Sequence, residues 1–237
     1  MGEDWMPLLT LAMSERQFLE LPRHPAYRYE YRDHHARLTP QPRYFHAILD
    51  LDSITALPGL PARSILASDV QELTRMFTQS FAHTQPYAGL DQGSLRAAAR
   101  LALERTMHGG DGPWIEEASF VALDGNEAVG CVWVTLLPQG DPGDWRSYYW
   151  SEPPPADYLK QRLGRPHLTW IFVAPSWARR GIGRNLLAAA ATSLAGLGYE
   201  QLLTTFMAGN DTSMLWHWKN GFRPVSRHEP PSLMRDP

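Results

Sequence analysis

A chain of 237 residues can bury a substantial core, as one large domain or as one domain with a small appendage. Its 22 basic against 25 acidic residues, a formal charge of −3, offer no general attraction for nucleic acid or anionic lipid, so any anion site has to be local. A single cysteine, Cys131, excludes a disulfide framework and a CxxC metal or redox motif, and no run of about 18 apolar residues would span a membrane.

The opening MGEDWMPLLTLAMSERQ has no basic segment before its brief apolar run, so no secretory signal is expected and the cytoplasm is the expected compartment. Residues 1–60 are aromatic, arginine-rich and punctuated by Pro22, Pro25, Pro40, Pro42 and Pro58, and read as an appendage to a domain over 61–237. Within it, the Ser14 to Gln17 spacing predicts a short capped helix, and YRYEYRDHHARLTP alternates like a hairpin turning at Asp33 and His34. An interaction or homodimerisation role is expected for this hairpin.

From Arg63 the pattern becomes regular. RSIL predicts a short strand, and Ser68, three residues before Gln71, precedes Val70, Leu73, Phe77 and Phe81 at helical spacing. A second helix is predicted over Ser94 to Met107, stopped by HGGDGP. ASFVAL and AVGCVWVTLL flank DGNE, an antiparallel pair signal. Residues 138–166 then form a long insertion rich in proline, glycine and aromatics, including Trp145, Tyr148, Tyr149 and Trp150; these rings either wall a substrate or anchor the loop. HLTWIFVAP predicts a buried strand, the alanine-rich run to Leu194 a helix, EQLLTTF a strand, and DTSMLWHWKN a short helix before GFRPV.

The turn VAPSWARRGIGRNLL has the chemistry of an anion cradle. The first N–H groups of a helix lack intrahelical partners and sit at the positive end of its dipole. Gly181 and Gly183 leave that backbone uncovered, and Arg179, Arg180 and Arg184 add charge for phosphate oxygens. A Walker loop is absent, and Leu186 stands where a GxGxxG fingerprint requires its third glycine. GxSxG and HExxH are absent too, and no metal site is expected among His34, His35 and His46.

The same segment resembles the coenzyme A loop of the GNAT acetyltransferases, through Val173, Pro175, Gly181 and Gly183; Ala178 departs from the family's Gln or Arg. NDTSMLWHWKNGF resembles a second family segment through Asn210, Gly221 and Phe222. The resemblance implies a mixed α/β fold over about 63–227, a central, mostly antiparallel sheet splayed between the strand ending at Val173 and the strand Gln201–Phe206. It implies acetyl-CoA as co-substrate, held by Phe172, Val173, Arg179, Arg180, Gly181, Ile182, Gly183, Arg184 and Asn210, with a backbone N–H near Val173 polarising the thioester.

The reaction implied is direct N-acetylation of a primary amine on a small molecule or peptide. His217 stands where the family commonly has a tyrosine acid, and His167 is the first choice for a base because the strand lacks a carboxylate. The alternative is an acyl-CoA-binding sensor of the same fold with weak or no turnover.

Overall fold

The computed structural model describes residues 9–22, 27–40, 44–55, 59–84, 87–142, 145–207 and 210–225. The chain begins with a small antiparallel sheet of β1 (Leu9–Ala12), β2 (Tyr27–Arg32) and β3 (His35–Pro40) in the order β1-β3-β2, with helix α1 (Glu15–Glu20) between β1 and β2. At α1 the Ser14 hydroxyl accepts from the Gln17 N–H, and the Gln17 side chain accepts from the Ser14 N–H at 2.9 Å. Asp33 and His34 turn the hairpin at φ 51° and 59°, the mirror-image turn whose twist matches paired strands.

The remaining elements are β4 (Tyr44–Asp50), β5 (Ala62–Ser64), α2 (Val70–Phe81), α3 (Gln92–Met107), β6 (Phe120–Asp124), β7 (Glu127–Leu137), β8 (Arg165–Val173), α4 (Ile182–Gly196), β9 (Gln201–Met207), α5 (Asp211–Lys219) and β10 (Arg223–Pro224). They form a seven-stranded sheet in the order β10-β4-β9-β8-β7-β6-β5, antiparallel except between β8 and β9. The fold is therefore mixed α/β, a mostly antiparallel sheet flanked by helices.

The stretch read as one appendage divides here. Strands β1, β2 and β3 build the separate small sheet, whereas β4 pairs with β9 along its whole length, from Tyr44↔Met207 to Asp50↔Gln201. Ala47 and Leu49 of β4 are fully buried beside Leu202 and Phe206. On this face of the sheet α4 and α5 cover Val132, Val134, Leu136 and Leu168; on the other, Leu73 and Phe77 of α2 and Leu103 of α3 cover Cys131, Trp133 and Phe172.

Helix starts differ from the sequence reading in their chemistry. A turn of 3-10 helix over Ala67–Asp69 shifts the start of α2 past Ser68 to Val70; the Asp69 carboxylate, which makes no cap bond to α2, accepts the Leu66 N–H and pairs with Arg63 at 2.7 Å. Asp91 caps α3 by accepting from Gly93 and Ser94 N–H groups, so the helix begins at Gln92, two residues before the predicted Ser94. Helix α4 lies close enough on β7 that a Cβ at Gly130 would stand 2.8 Å from Ile182 Cγ2.

The insertion is pinned rather than loose. Arg165, already the first residue of β8, donates to the carbonyls of Pro138, Gly140 and Ser147, and Trp150 Nε1 donates to Leu136 O at 2.7 Å. Tyr148 is buried and Tyr149 is exposed, so these two rings do different work; the side chain of Trp145 lies outside the described residues. Among the described residues no helix is long and apolar enough to cross a membrane.

Because β4 fills the sheet between β9 and β10, Leu49→Ala is expected to lower the unfolding free energy by about 2–5 kcal/mol, measured by denaturant titration of the full chain. A change below about 0.5 kcal/mol, typical of a surface site, would remove β4 from the core.

Candidate active site

β8 and β9 part company within the sheet. Their parallel pairing is confined to His167↔Leu203 and Leu168↔Thr204, yet β8 runs on to Val173 and β9 to Met207. A V-shaped gap therefore opens beyond Leu168 and Thr204. Just there, β8 carries one extra residue against β7: Trp133 faces Trp170 while the adjacent Val134 faces Leu168, so Thr169 bulges at the apex.

The gap has a wall of available backbone. Ala174 N–H bonds Val129 O of β7 at 2.9 Å, and in an antiparallel pair the N–H direction alternates, so Ile171 and Val173 direct theirs toward the β9 side. The Phe172 side chain packs beneath α2, with ring centroids 5.4 Å from Phe77 and 6.0 Å from Phe81, and by the same alternation its backbone groups face β7 rather than the gap. The carbonyl of Val173 accepts from the Ser80 hydroxyl of α2 at 2.9 Å, which fixes the end of the strand.

Directly after this wall comes the turn into α4. Arg179 and Gly181 have φ 62° and 82°, and the N-cap Gly181 makes no side-chain cap, so the first N–H groups of α4 are left to an outside acceptor. A Cβ at Gly181 would meet nothing within 4 Å; here glycine serves the backbone angle and leaves the approach open. Arg179, Arg180 and Arg184 are exposed and form none of the ion pairs seen among the described residues; Arg180 rests 4.6 Å above the Trp177 ring. Ile182 is buried against Gly130 and offers only its backbone, and Gly183 lies against Trp216 of α5.

Helix α5 brings the second sequence motif to the apex. Asn210 is its N-cap, the amide oxygen accepting from Ser213 N–H at 3.0 Å. His217 is 3 % exposed and stacked on Phe206 at 4.6 Å. Its Nδ1 donates to Ser213 O at 2.7 Å, which leaves a bare Nε2 3.2 Å from the Thr204 hydroxyl, a group that also donates to Leu168 O at 3.3 Å. Burial depresses its pKa to about 4, so the ring is neutral at pH 7.

His167 lies on the opposite face of the same apex. Its Nδ1 is 3.0 Å from Thr169 Oγ1 and its Nε2 3.2 Å from Thr205 Oγ1, so one ring bridges the first residue of each diverging arm. Burial, reinforced by the charges of His46 and Arg165, lowers its pKa to about 3. The structure thus brings His167 and His217 to one point but on two faces, with Thr204 and Thr205 alternating between them.

A family model for the acetyltransferase (GNAT) family matches residues 100–222, just over half of the chain. The chain belongs to the GNAT family. Solved structures similar to this GNAT chain include the PaiA N-acetyltransferase from Thermoplasma acidophilum in complex with coenzyme A, at 13% identity, covering 70% of this chain and 91% of that one, TM-score 0.48. The aminoglycoside N-acetyltransferase AAC(6')-Iy in complex with CoA is 17% identical, with 73% and 94% covered and a TM-score of 0.44. A GCN5-related N-acetyltransferase from Sphaerobacter thermophilus is 13% identical, with 92% and 57% covered and a TM-score of 0.49. No curated protein matches the chain significantly.

What sequence reasoning missed in this GNAT site is the hydroxyl set: Thr169, Thr204 and Thr205, with His46 and Tyr148 behind them. The available signal was polar residues recurring in strands that are otherwise apolar, HLT in one and TT in the other.

Both imidazoles are held below their unfolded value of about 6.5, so the unfolded chain binds more protons as pH falls. Their contribution is present above pH 6.5 and is lost on acidification toward pH 4 and then 3. Unfolding free energy measured from pH 7 to 4 should fall by up to about 1.4 kcal/mol per pH unit per ring, and by less in His217→Gln. Equal slopes in both proteins would show that His217 titrates normally.

Proposed function

We propose that this GNAT chain transfers the acetyl group of acetyl-CoA to a primary amine of a small molecule or peptide by direct attack. One observation carries the reading: a gap opened between two parallel strands leads straight to a helix start whose N–H groups have no cap and whose three arginines are exposed and outside the described ion pairs. The coenzyme A held by the PaiA structure and by AAC(6')-Iy agrees with it.

In this reading the diphosphate lies on the backbone of Gly181, Ile182, Gly183 and Arg184, with Arg179, Arg180 and Arg184 as counter-charges. The pantetheine arm runs along β8, where Ile171 and Val173 N–H groups substitute for the missing strand partner and polarise the thioester carbonyl. Asn210, by capping α5, holds the other side. The coenzyme's sulfur belongs to the α4/α5 face, where neutral His217, its Nδ1 proton held by Ser213 O, positions Thr204 at the divergence while the leaving thiolate takes a proton from water; the amine approaches from the α2/α3 face, where His167 is the base.

Isothermal titration of acetyl-CoA should give a Kd at least about tenfold weaker for Arg179→Ala/Arg184→Ala, since hydrogen bonds to charged groups contribute about 1.5–3 kcal/mol each. Unchanged binding would remove the turn from the coenzyme site. His217→Phe should lower kcat while leaving coenzyme affinity within about twofold, read as coenzyme release with a panel of amines. Unaltered kcat would take His217 out of the mechanism, and coenzyme binding without release for any amine would favour an acyl-CoA sensor.

A further inference from the structure

The buried polar chain on the α2/α3 face is longer than His167 alone needs, and the donors at its Thr135 end set which ring nitrogen of His167 carries the proton. At one end Thr135 Oγ1 donates to Asp111 O at 2.8 Å, so it accepts from Thr169 Oγ1, also 2.8 Å away. Thr169 has then spent its proton and accepts from His167 Nδ1 at 3.0 Å. Neutral His167 therefore presents a bare Nε2 to the Thr205 hydroxyl at 3.2 Å. At the other end Tyr148 OH donates to Pro142 O at 2.9 Å, which leaves its oxygen to accept from His46 Nδ1 at 2.7 Å. The same His46 Nδ1 is 3.2 Å from Thr205 Oγ1.

The chain thus converges on one atom. Thr205 Oγ1 faces the bare imidazole nitrogen at 3.2 Å and also hydrogen-bonds the Tyr148 side chain, and it belongs to the first β9 residue beyond the last β8–β9 pair. Thr205 is only partly buried, whereas His46 and His167 are 6 % and 8 % exposed. His46 comes from β4 and Tyr148 from the insertion, two parts of the chain that the coenzyme reading leaves unused.

Resting on the acetyl-transfer reading, we propose that Thr205 receives the acceptor amine and relays its proton to His167 Nε2, with His46 and Tyr148 as positioning residues, and that the site selects an amine already neutral at working pH. As the C–N bond forms, the nitrogen becomes strongly acidic. One of its protons passes to Thr205 Oγ1 while the hydroxyl's own proton moves to His167 Nε2. The thioester C–S bond breaks and the electron pair leaves on sulfur, which takes a proton from water; the imidazolium returns its proton to water once the product leaves. Atoms and charge balance as amine plus acetyl-CoA giving amide plus free coenzyme.

The preference for a neutral amine follows from the surrounding charge. Arg165 on β8, His46 on β4 and His217 on α5 act on His167, and all three disfavour a further cation. Asp111 contributes its backbone carbonyl to the chain, and its carboxylate is taken by Arg105 at 3.0 Å and Thr106 at 2.6 Å. On the insertion, Asp141 interacts with Tyr148 and Arg165 rather than with His167. A buried, weakly basic imidazole suits a proton that becomes acidic only during attack and cannot strip one from an alkylammonium ion.

The test uses the full chain with acetyl-CoA and two acceptors, an aromatic amine uncharged at pH 7 and a primary alkylamine of pKa about 10. The aromatic amine is expected to give a kcat/KM constant from pH 6 to 8, and the alkylamine one that rises about tenfold per pH unit with its neutral fraction. Thr205→Val should lower kcat for the aromatic amine by at least about a hundredfold with the KM for acetyl-CoA unchanged, and Thr205→Ser should restore it. If Thr205→Val misfolds, His46→Gln replaces it, with a smaller loss of kcat and the same pH profiles. Full turnover in Thr205→Val or His46→Gln, or a pH-independent preference for the alkylamine, overturns the relay alone. A wild-type protein that binds acetyl-CoA but acetylates neither amine overturns the relay and the transfer reading together.

Discussion

Everything in this site depends on a sheet that stops pairing. Parallel strands normally satisfy one another's N–H and C=O groups along their whole length, and leaving a buried donor without a partner costs about 1–3 kcal/mol. β8 and β9 stop after Leu168 and Thr204, and the edge that results has to be completed from outside the sheet. A ligand with amide and carbonyl groups of its own is the natural completion. The hydroxyls of Thr204, Thr205 and Thr169 surround the point of divergence and supply short polar arms where backbone pairing ends.

Two contacts on one face hold the divergence in place. Helix α4 lies so close to β7 that a Cβ at position 130 would crowd Ile182 and Leu186, and this seats the start of the helix beside the end of β8. Trp216 of α5 lies against Gly183, which packs α5 on the first turn of α4. Of the two helices, α5 has its start capped by Asn210, and only α4 leaves its first N–H groups to an anion.

The turn into α4 was legible because its chemistry is local. A glycine at positive φ followed by an uncapped helix start can be read from a few adjacent residues, and the turn, α4 and α5 appear where the motifs place them. Thr205, by contrast, receives its significance from residues far apart: its contact with His46 spans 159 positions and that with His167 spans 38. Spacing in the sequence holds no signal for such a cluster. β4 was lost for a related reason: Tyr44–Asp50 is a short strand among prolines and resembles its irregular flanks, and only pairing with β9 reveals it as core. The helix starts show the smaller version of this effect: a 3-10 turn shifts the start of α2 past Ser68, and the Asp91 carboxylate starts α3 at Gln92.

The position of β4 also constrains how the molecule comes into being. Its seven residues leave the ribosome early, yet their partners in β9 and β10 follow more than 150 residues later, as the Tyr44↔Met207 and Arg223↔Ile48 pairs show. Contacts this distant carry a large loop-closure entropy and form late in folding. Until β9 emerges, β4 is a short apolar strand with both edges bare, exposed to wrong partners during synthesis. The gap beside β9 thus reaches its final form in the last stage of folding, and a chain stalled before that stage has the Gly181 turn without the finished gap beside it.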